Sequence, residues 1–111
     1  MEVDEVYRGV MVPPIDMTTA DGYDLQFGTN VLGHYVFTTE LMPALLAGAQ
    51  SSSDKKARVV NTSSLAQEFA SELKWDTFSD GPARRKFGSQ GMYSQSKFVS
   101  SLCIYWRDRN I

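Results

Sequence analysis

From Met17 to Ala47 apolar residues return at helical spacing, with Leu25, Leu32, Val36, Met42 and Leu45 on or near one face. Thr18 or Thr19 stands where an N-cap belongs, so a long helix is predicted. Gly28 and Gly33 interrupt it at about 1 kcal/mol each against alanine, which implies close packing by another element. Gly48 and the polar run from Gln50 to Lys56 predict a C-cap and an exposed loop. Arg58-Val59-Val60-Asn61-Thr62-Ser63 is rich in β-formers and predicts a strand. Val10-Met11-Val12, just ahead of Pro13-Pro14, predicts the end of a short strand, while the residues before Gly9 carry no strand pattern. Leu65 to Gln90 has little periodicity and predicts a long loop with about one helical turn, the kind of connection that is usually functional or disordered. Met92 to Arg109 returns to helical spacing, with Phe98, Leu102 and Tyr105 on one side.

The order strand, helix, strand, helix predicts an α/β design with parallel strands joined by a right-handed crossover. A βαβ unit takes roughly 30 residues, so the 111 residues hold one such unit plus a further helix. Two strands make a poor parallel sheet, since such sheets are built from several strands and covered on both faces. The expectation is one domain, residues 1–111, that forms part of a larger fold.

Composition narrows the function classes. The chain is 42% hydrophobic and 22% charged with net charge −2, so nothing favours nucleic acid or an anionic membrane. The single Cys103 excludes an intramolecular disulfide, and a lone histidine, His34, excludes a histidine metal cluster. No apolar run approaches the ~20 residues of a membrane span, and the N-terminal MEVDEVYRG lacks a signal-peptide core. A small cytoplasmic protein is the expectation, with no metal.

Tyr93 and Lys97 lie four residues apart in GMYSQSKF, which on a helix sets phenol beside ammonium. A cation fixed beside a phenol stabilises the phenolate, and that is how a tyrosine becomes a general acid/base near neutral pH. Alone the pair is roughly a one-in-five coincidence for this composition, and a solvated helix face is then the better explanation of it. Ser63-Ser64 closes the predicted strand at its carboxyl end, where open parallel sheets place their sites. Asn30 lies inside the first long helix. Ser94-Gln95-Ser96-Lys97 also spells S-x-x-K, but no K-T-G or S-D-N accompanies it. Gly28 and Gly33 have the glycine spacing of a phosphate loop, yet His34 stands at the lysine position. Arg84-Arg85-Lys86 reads as a solvated loop face, Cys103 as helix packing, and Trp75 and Trp106 as packing residues.

Together, GTNVLGHY, RVVNTSS and YSQSK resemble, in order, the N-x-x-G, serine-strand and Y-x-x-x-K segments of the short-chain dehydrogenase/reductase family. The flanks are similar to its fungal retinol-dehydrogenase-like and WW-domain-oxidoreductase-like branch, and the resemblance covers roughly residues 9 to 100. It implies a Rossmann-like doubly wound parallel sheet, here partial. It also implies alcohol/carbonyl interconversion with NAD or NADP and a small alcohol or carbonyl substrate. By the same resemblance Tyr93 would be the proton donor/acceptor, while Lys97 would assist it and hold the nicotinamide ribose. Ser64 would hydrogen-bond the reacting oxygen, and Asn30 would anchor a relay water toward Lys97. Tyr93, Lys97 and Gly9, the last residue of the family's N-N-A-G segment, would be the cofactor contacts. Asn61 would tie strand to helix.

The family's glycine-rich turn is missing: no G-x-x-x-G-x-G occurs in the 111 residues, and Val6-Tyr7-Arg8 replaces the asparagines and alanine before Gly9. The segment from Val99 to Asn110 departs from the aliphatic-rich continuation the family shows. The reading is therefore a truncated dehydrogenase domain without its cofactor-binding half and substrate segment, expected to be inactive by itself. Its alternatives are a non-catalytic fragment that pairs with a full-length relative through helices 19–47 and 92–109, and a remnant without function.

Overall fold

The computed structural model describes residues 4–7 and 9–108, with side chains placed from 9 to 103. Strand β1, Asp4–Tyr7, pairs in parallel with β2, Arg58–Asn61, so that Asp4 opposes Arg58 and Tyr7 opposes Asn61. Between them run α1, Leu25–Phe27, a π-helical segment, Gly28–Gly33, and α2, His34–Ser51. After β2 come two 3₁₀ turns, Leu65–Phe69 and Trp75–Thr77, and then the long helix α3, Pro82–Asp108. The expected strand–helix–strand–helix order and parallel pairing are present among the described residues.

Several boundaries differ from the sequence reading, each for a physical reason. The first strand lies at Asp4–Tyr7, where no strand pattern was legible, and Val10–Val12 is not strand. Side chains, not a neighbouring strand, satisfy the backbone of that stretch: Asn30 pairs with both polar groups of Val10, and Gln26 takes the Val12 N–H. The first helix is capped by Asp24, whose Oδ2 accepts from the N–H groups of Gln26 and Phe27 at 2.9 Å each. Thr18 and Thr19 belong instead to a turn, where Thr19 Oγ1 accepts from the Tyr23 N–H. Gly48 is inside α2, which continues to Ser51 and ends at Ser52.

The 65–90 connection is more ordered than its sequence suggested, because α3 begins at Pro82, a residue suited to the first turn of a helix. Gly88, at φ 80° and ψ 163°, breaks that helix and lets the segment carrying Tyr93 start afresh. Close packing at Gly28 is met by a side chain: a Cβ there would lie 2.3 Å from Thr19 Cγ2.

The interior is held more by polar contacts than by apolar ones. Leu45, Phe78, Met92 and Tyr93 are the buried hydrophobic residues among those described, with Phe27 stacked on Phe78 at 3.9 Å. Beside them Asp24, Gln26, Asn30, Thr77, Arg84, Gln95, Ser96 and Lys97 are also buried. Among the described residues no buried side-chain nitrogen or oxygen lacks a partner. Arg84 corrects the solvated-face reading: it is buried, with Nε on Asp24 Oδ1 at 2.9 Å, Nη1 on Asp80 Oδ1 at 3.2 Å and Nη2 on the Met17 carbonyl at 2.7 Å. Trp75 does not pack as expected either; it is 74% exposed, with one edge toward Phe78. The side chains of Tyr105 and Trp106, and Arg109 altogether, lie outside the described residues.

Candidate active site

Tyr93 and Lys97 lie one turn apart on the buried side of α3, and the Lys97 ammonium is 5.8 Å from the centre of the Tyr93 ring. Lys97 Nζ also donates to the Thr62 carbonyl at 3.0 Å. Thr62 directly follows β2, so the lysine sits at the carboxyl end of the parallel pair. A buried ammonium is costly unless its donors are used. Here, among the described residues, one carbonyl and one ring face serve it, with no carboxylate. No hydrogen bond reaches the Tyr93 hydroxyl among the described residues. Tyr93 as a whole is 8% exposed.

Asn30 is buried in the π-helical segment, a geometry that recurs at functional sites. Its Oδ1 accepts from Val10 N at 2.8 Å, and its Nδ2 donates to Val10 O at 2.9 Å and Ser96 Oγ at 3.0 Å. Ser96 Oγ in turn donates to the Tyr93 carbonyl at 2.8 Å. The Asn30 carbonyl accepts from Ser100 Oγ at 3.0 Å. Asn30 thus locks the segment after β1 to the Tyr93 turn; the relay role expected for it remains a proposal. Gly9 belongs to the same cluster, because a Cβ on it would fall 2.0 Å from Asn30 Oδ1.

Ser64 is at the same end of the sheet, but its Oγ accepts from Ala66 N at 3.2 Å and caps the first 3₁₀ turn. No hydrogen bond joins it to Tyr93 or Lys97 among the described residues. Its neighbour Ser63 instead meets Ser101 Oγ at 2.9 Å. Three of the sequence-derived residues, Tyr93, Lys97 and Asn30, are therefore brought together through direct contacts and Ser96; Gly9 joins through Asn30, and Ser64 through the strand end alone.

Sequence reasoning missed Ser96, Gln95, Gln26 and Ser89. Ser96 has a local signal, since a serine three residues after Tyr93 can bond back to its carbonyl. Gln95 has none: its Oε1 accepts from Lys74 N at 2.7 Å and its Nε2 donates to Thr77 Oγ1 at 3.0 Å, partners about twenty residues away. A separate open depression of about 640 Å³, lined by residues including Trp75, Lys86 and Phe87, does not touch Tyr93 or Lys97.

The chain belongs to the short-chain dehydrogenase/reductase family. It is 53% identical over 108 residues to a short-chain dehydrogenase/reductase of Armillaria gallica, a match covering 93% of this chain and 34% of that protein. A short-chain dehydrogenase/reductase of Emericella nidulans is 40% identical over 89 residues, 80% of this chain and 28% of its own. Human retinol dehydrogenase 13 is 39% identical over 98 residues, 85% of this chain and 25% of its own. The chain spans about a third or less of the length of these relatives. No family model and no solved structure matches it. Family membership implies a Rossmann-like fold, and the described residues hold one parallel strand pair. No helix among the described residues is long and apolar enough to cross a membrane.

Proposed function

We propose that this chain carries the proton-transfer site of a nicotinamide-dependent alcohol/carbonyl oxidoreductase, set in a doubly wound parallel sheet to which β1 and β2 contribute. The observation that carries the reading is the buried Tyr93–Lys97 pair at the carboxyl end of β2, where among the described residues the phenol hydroxyl has no hydrogen bond and the ammonium a single carbonyl acceptor. In reduction the Tyr93 hydroxyl gives its proton to the carbonyl oxygen; in oxidation the Tyr93 phenolate takes the alcohol's proton. Lys97 stabilises the phenolate between these states and turns its remaining donors toward ribose hydroxyls. Ser64 accepts from Ala66 N while keeping its own O–H, which is free to donate to the reacting oxygen. Asn30, through Ser96, keeps the Tyr93 turn in register with the segment after β1.

NAD or NADP would supply the hydride when bound, since no side chain can. Lys97 and Tyr93 fit its ribose end, whereas no glycine-rich phosphate turn occurs in the 111 residues. The 111-residue chain by itself is therefore inactive as a dehydrogenase. The name of the human relative, a retinol dehydrogenase, supports an apolar alcohol or its carbonyl as substrate.

The test is a chimera in which these residues replace the matching third of the Armillaria gallica relative. It should show cofactor-dependent carbonyl reduction, and Tyr93→Phe should lower kcat by at least about 100-fold. A folded but inactive chimera, or activity that survives Tyr93→Phe, refutes the assignment. Turnover by the isolated chain refutes its inactivity.

A second reading is favoured by the exposed Tyr35, Val36, Phe37 and Leu46 of α2. In it the chain pairs with a full-length relative through α2 and α3 and regulates it. Mixing the two and finding no heterodimer by gel filtration would remove that reading.

A further inference from the structure

Around the candidate site α3 is buried on every side, since Met92, Tyr93, Ser94, Gln95, Ser96 and Lys97 are all buried. The turns before it do not set its rotation, because Gly88, at φ 80°, interrupts the helix. Contacts made after Gly88 therefore decide which way Tyr93 and Lys97 face. Ser96 supplies one of them through Asn30. Gln95 supplies another: two residues from Tyr93 and two from Lys97, it stands on the opposite side of the helix axis.

Gln95 is fully buried, and its amide is matched group by group to the 3₁₀ turn Trp75–Thr77. Its Oε1 accepts from Lys74 N at 2.7 Å, and its Nε2 donates to Thr77 Oγ1 at 3.0 Å. Thr77 Oγ1 gives its own proton to the Lys74 carbonyl at 2.6 Å, so toward Gln95 it can only accept. The position thus asks for one acceptor and one donor, which a neutral amide has and a carboxylate or thioether lacks. The turn it grips is itself anchored. Phe78, the next residue, accepts from Asp24 N at 2.7 Å and stacks on Phe27. Gln95 therefore ties the Tyr93–Lys97 segment, from behind, to the start of α1.

We infer that Gln95 is a positioning residue for the proton transfer: it fixes the helix rotation that brings Lys97 to the Thr62 carbonyl and Tyr93 with it. This rests on the Tyr93–Lys97 site being the reacting centre. Because Gln95 faces away from the pair, its loss disturbs the aim of the phenol and leaves substrate binding alone. A misplacement of about 1 Å at a reacting group can lower a rate about 100-fold.

The test replaces Gln95 in the Armillaria gallica chimera. Gln95→Met, close in shape but without the amide, should lower kcat per folded molecule about 10- to 100-fold and move KM by less than about twofold. Thr77→Val should give part of that loss, and adding it to Gln95→Met should cost little more, since both remove the same bond. An active chimera whose kcat is indifferent to Gln95→Met overturns the role. So does a rise in KM with kcat intact, or full additivity of the two substitutions. A second measurement needs no turnover: amide hydrogen exchange in the 111-residue chain. There Gln95→Met should speed exchange across Tyr93–Lys97 at least about tenfold relative to α2. Unchanged exchange, or equal acceleration in both helices, overturns the role. An inactive chimera with the selective exchange response refutes the dehydrogenase reading and upholds the clamp, so the two failures are told apart.

Discussion

A Cβ on residue 9 would sit 2.0 Å from Asn30 Oδ1, closer than any real contact allows. Asn30 is buried and holds three hydrogen bonds, so it cannot retreat cheaply. Gly9→Ala is therefore expected to break the Val10–Asn30 pair and to destabilise the chain by about 1–3 kcal/mol. Urea unfolding measures the cost, and accelerated hydrogen exchange at the Val10 amide identifies the pair as the part that is lost. An unchanged exchange rate would show that the clamp tolerates the methyl. At this scale, Tyr93 and Lys97 were legible because a helix brings residues four apart onto one face. Arg84 was not legible, because its burial depends on Asp24, sixty residues earlier in the chain.

Among the elements, α1 and the start of α3 are tied by one charge cluster. Asp24 caps α1 with one oxygen and holds Arg84 with the other, while Asp80 bridges Arg84 and Arg85. The hydrogen bond from Arg85 holds the Asp80 carboxyl below the usual carboxylate range, with the charges of Arg85 and Arg84 assisting. A carboxyl that is more acidic folded than unfolded stabilises the fold above about pH 4, and the benefit is lost as pH falls below that. Melting temperature should thus drop between pH 5 and pH 3 by more in the unmodified chain than in Asp80→Asn. Equal drops would place the acid sensitivity elsewhere. High salt should shrink the difference, because Asp80 and Arg85 are partly exposed.

For the whole molecule, the radius of gyration is 15.7 Å, against about 13 Å for a compact domain of this length. Val60 of β2 and Leu65, Phe69 and Trp75 beyond it are exposed, as is the Tyr35–Phe37 face of α2. A two-stranded parallel pair covers little apolar surface, and its outer edges carry unpaired backbone groups. The isolated chain is expected to bind a hydrophobic dye and to melt over a broad range. A sharp calorimetric transition without dye binding would contradict this. The heterodimer and chimera experiments follow from the same exposure, since either would cover it.

Local order in the sequence determined the element order, the β2 strand, the helical Tyr93–Lys97 face and, through three motifs in register, the family. These follow from periodicities and spacings that need no distant partner. Only the tertiary structure decided the rest. It put the first strand at Asp4–Tyr7, started the helix at Asp24, buried Arg84 and tied Ser64 to its own turn. It also linked Gly9, Asn30 and Ser96 to Tyr93 and gave Gln95 its partners at Lys74 and Thr77. Each of these depends on a hydrogen bond, ion pair or steric limit, most of them between residues far apart in the chain. Such partners meet only once the backbone has folded, and no local pattern of apolar and polar residues encodes them.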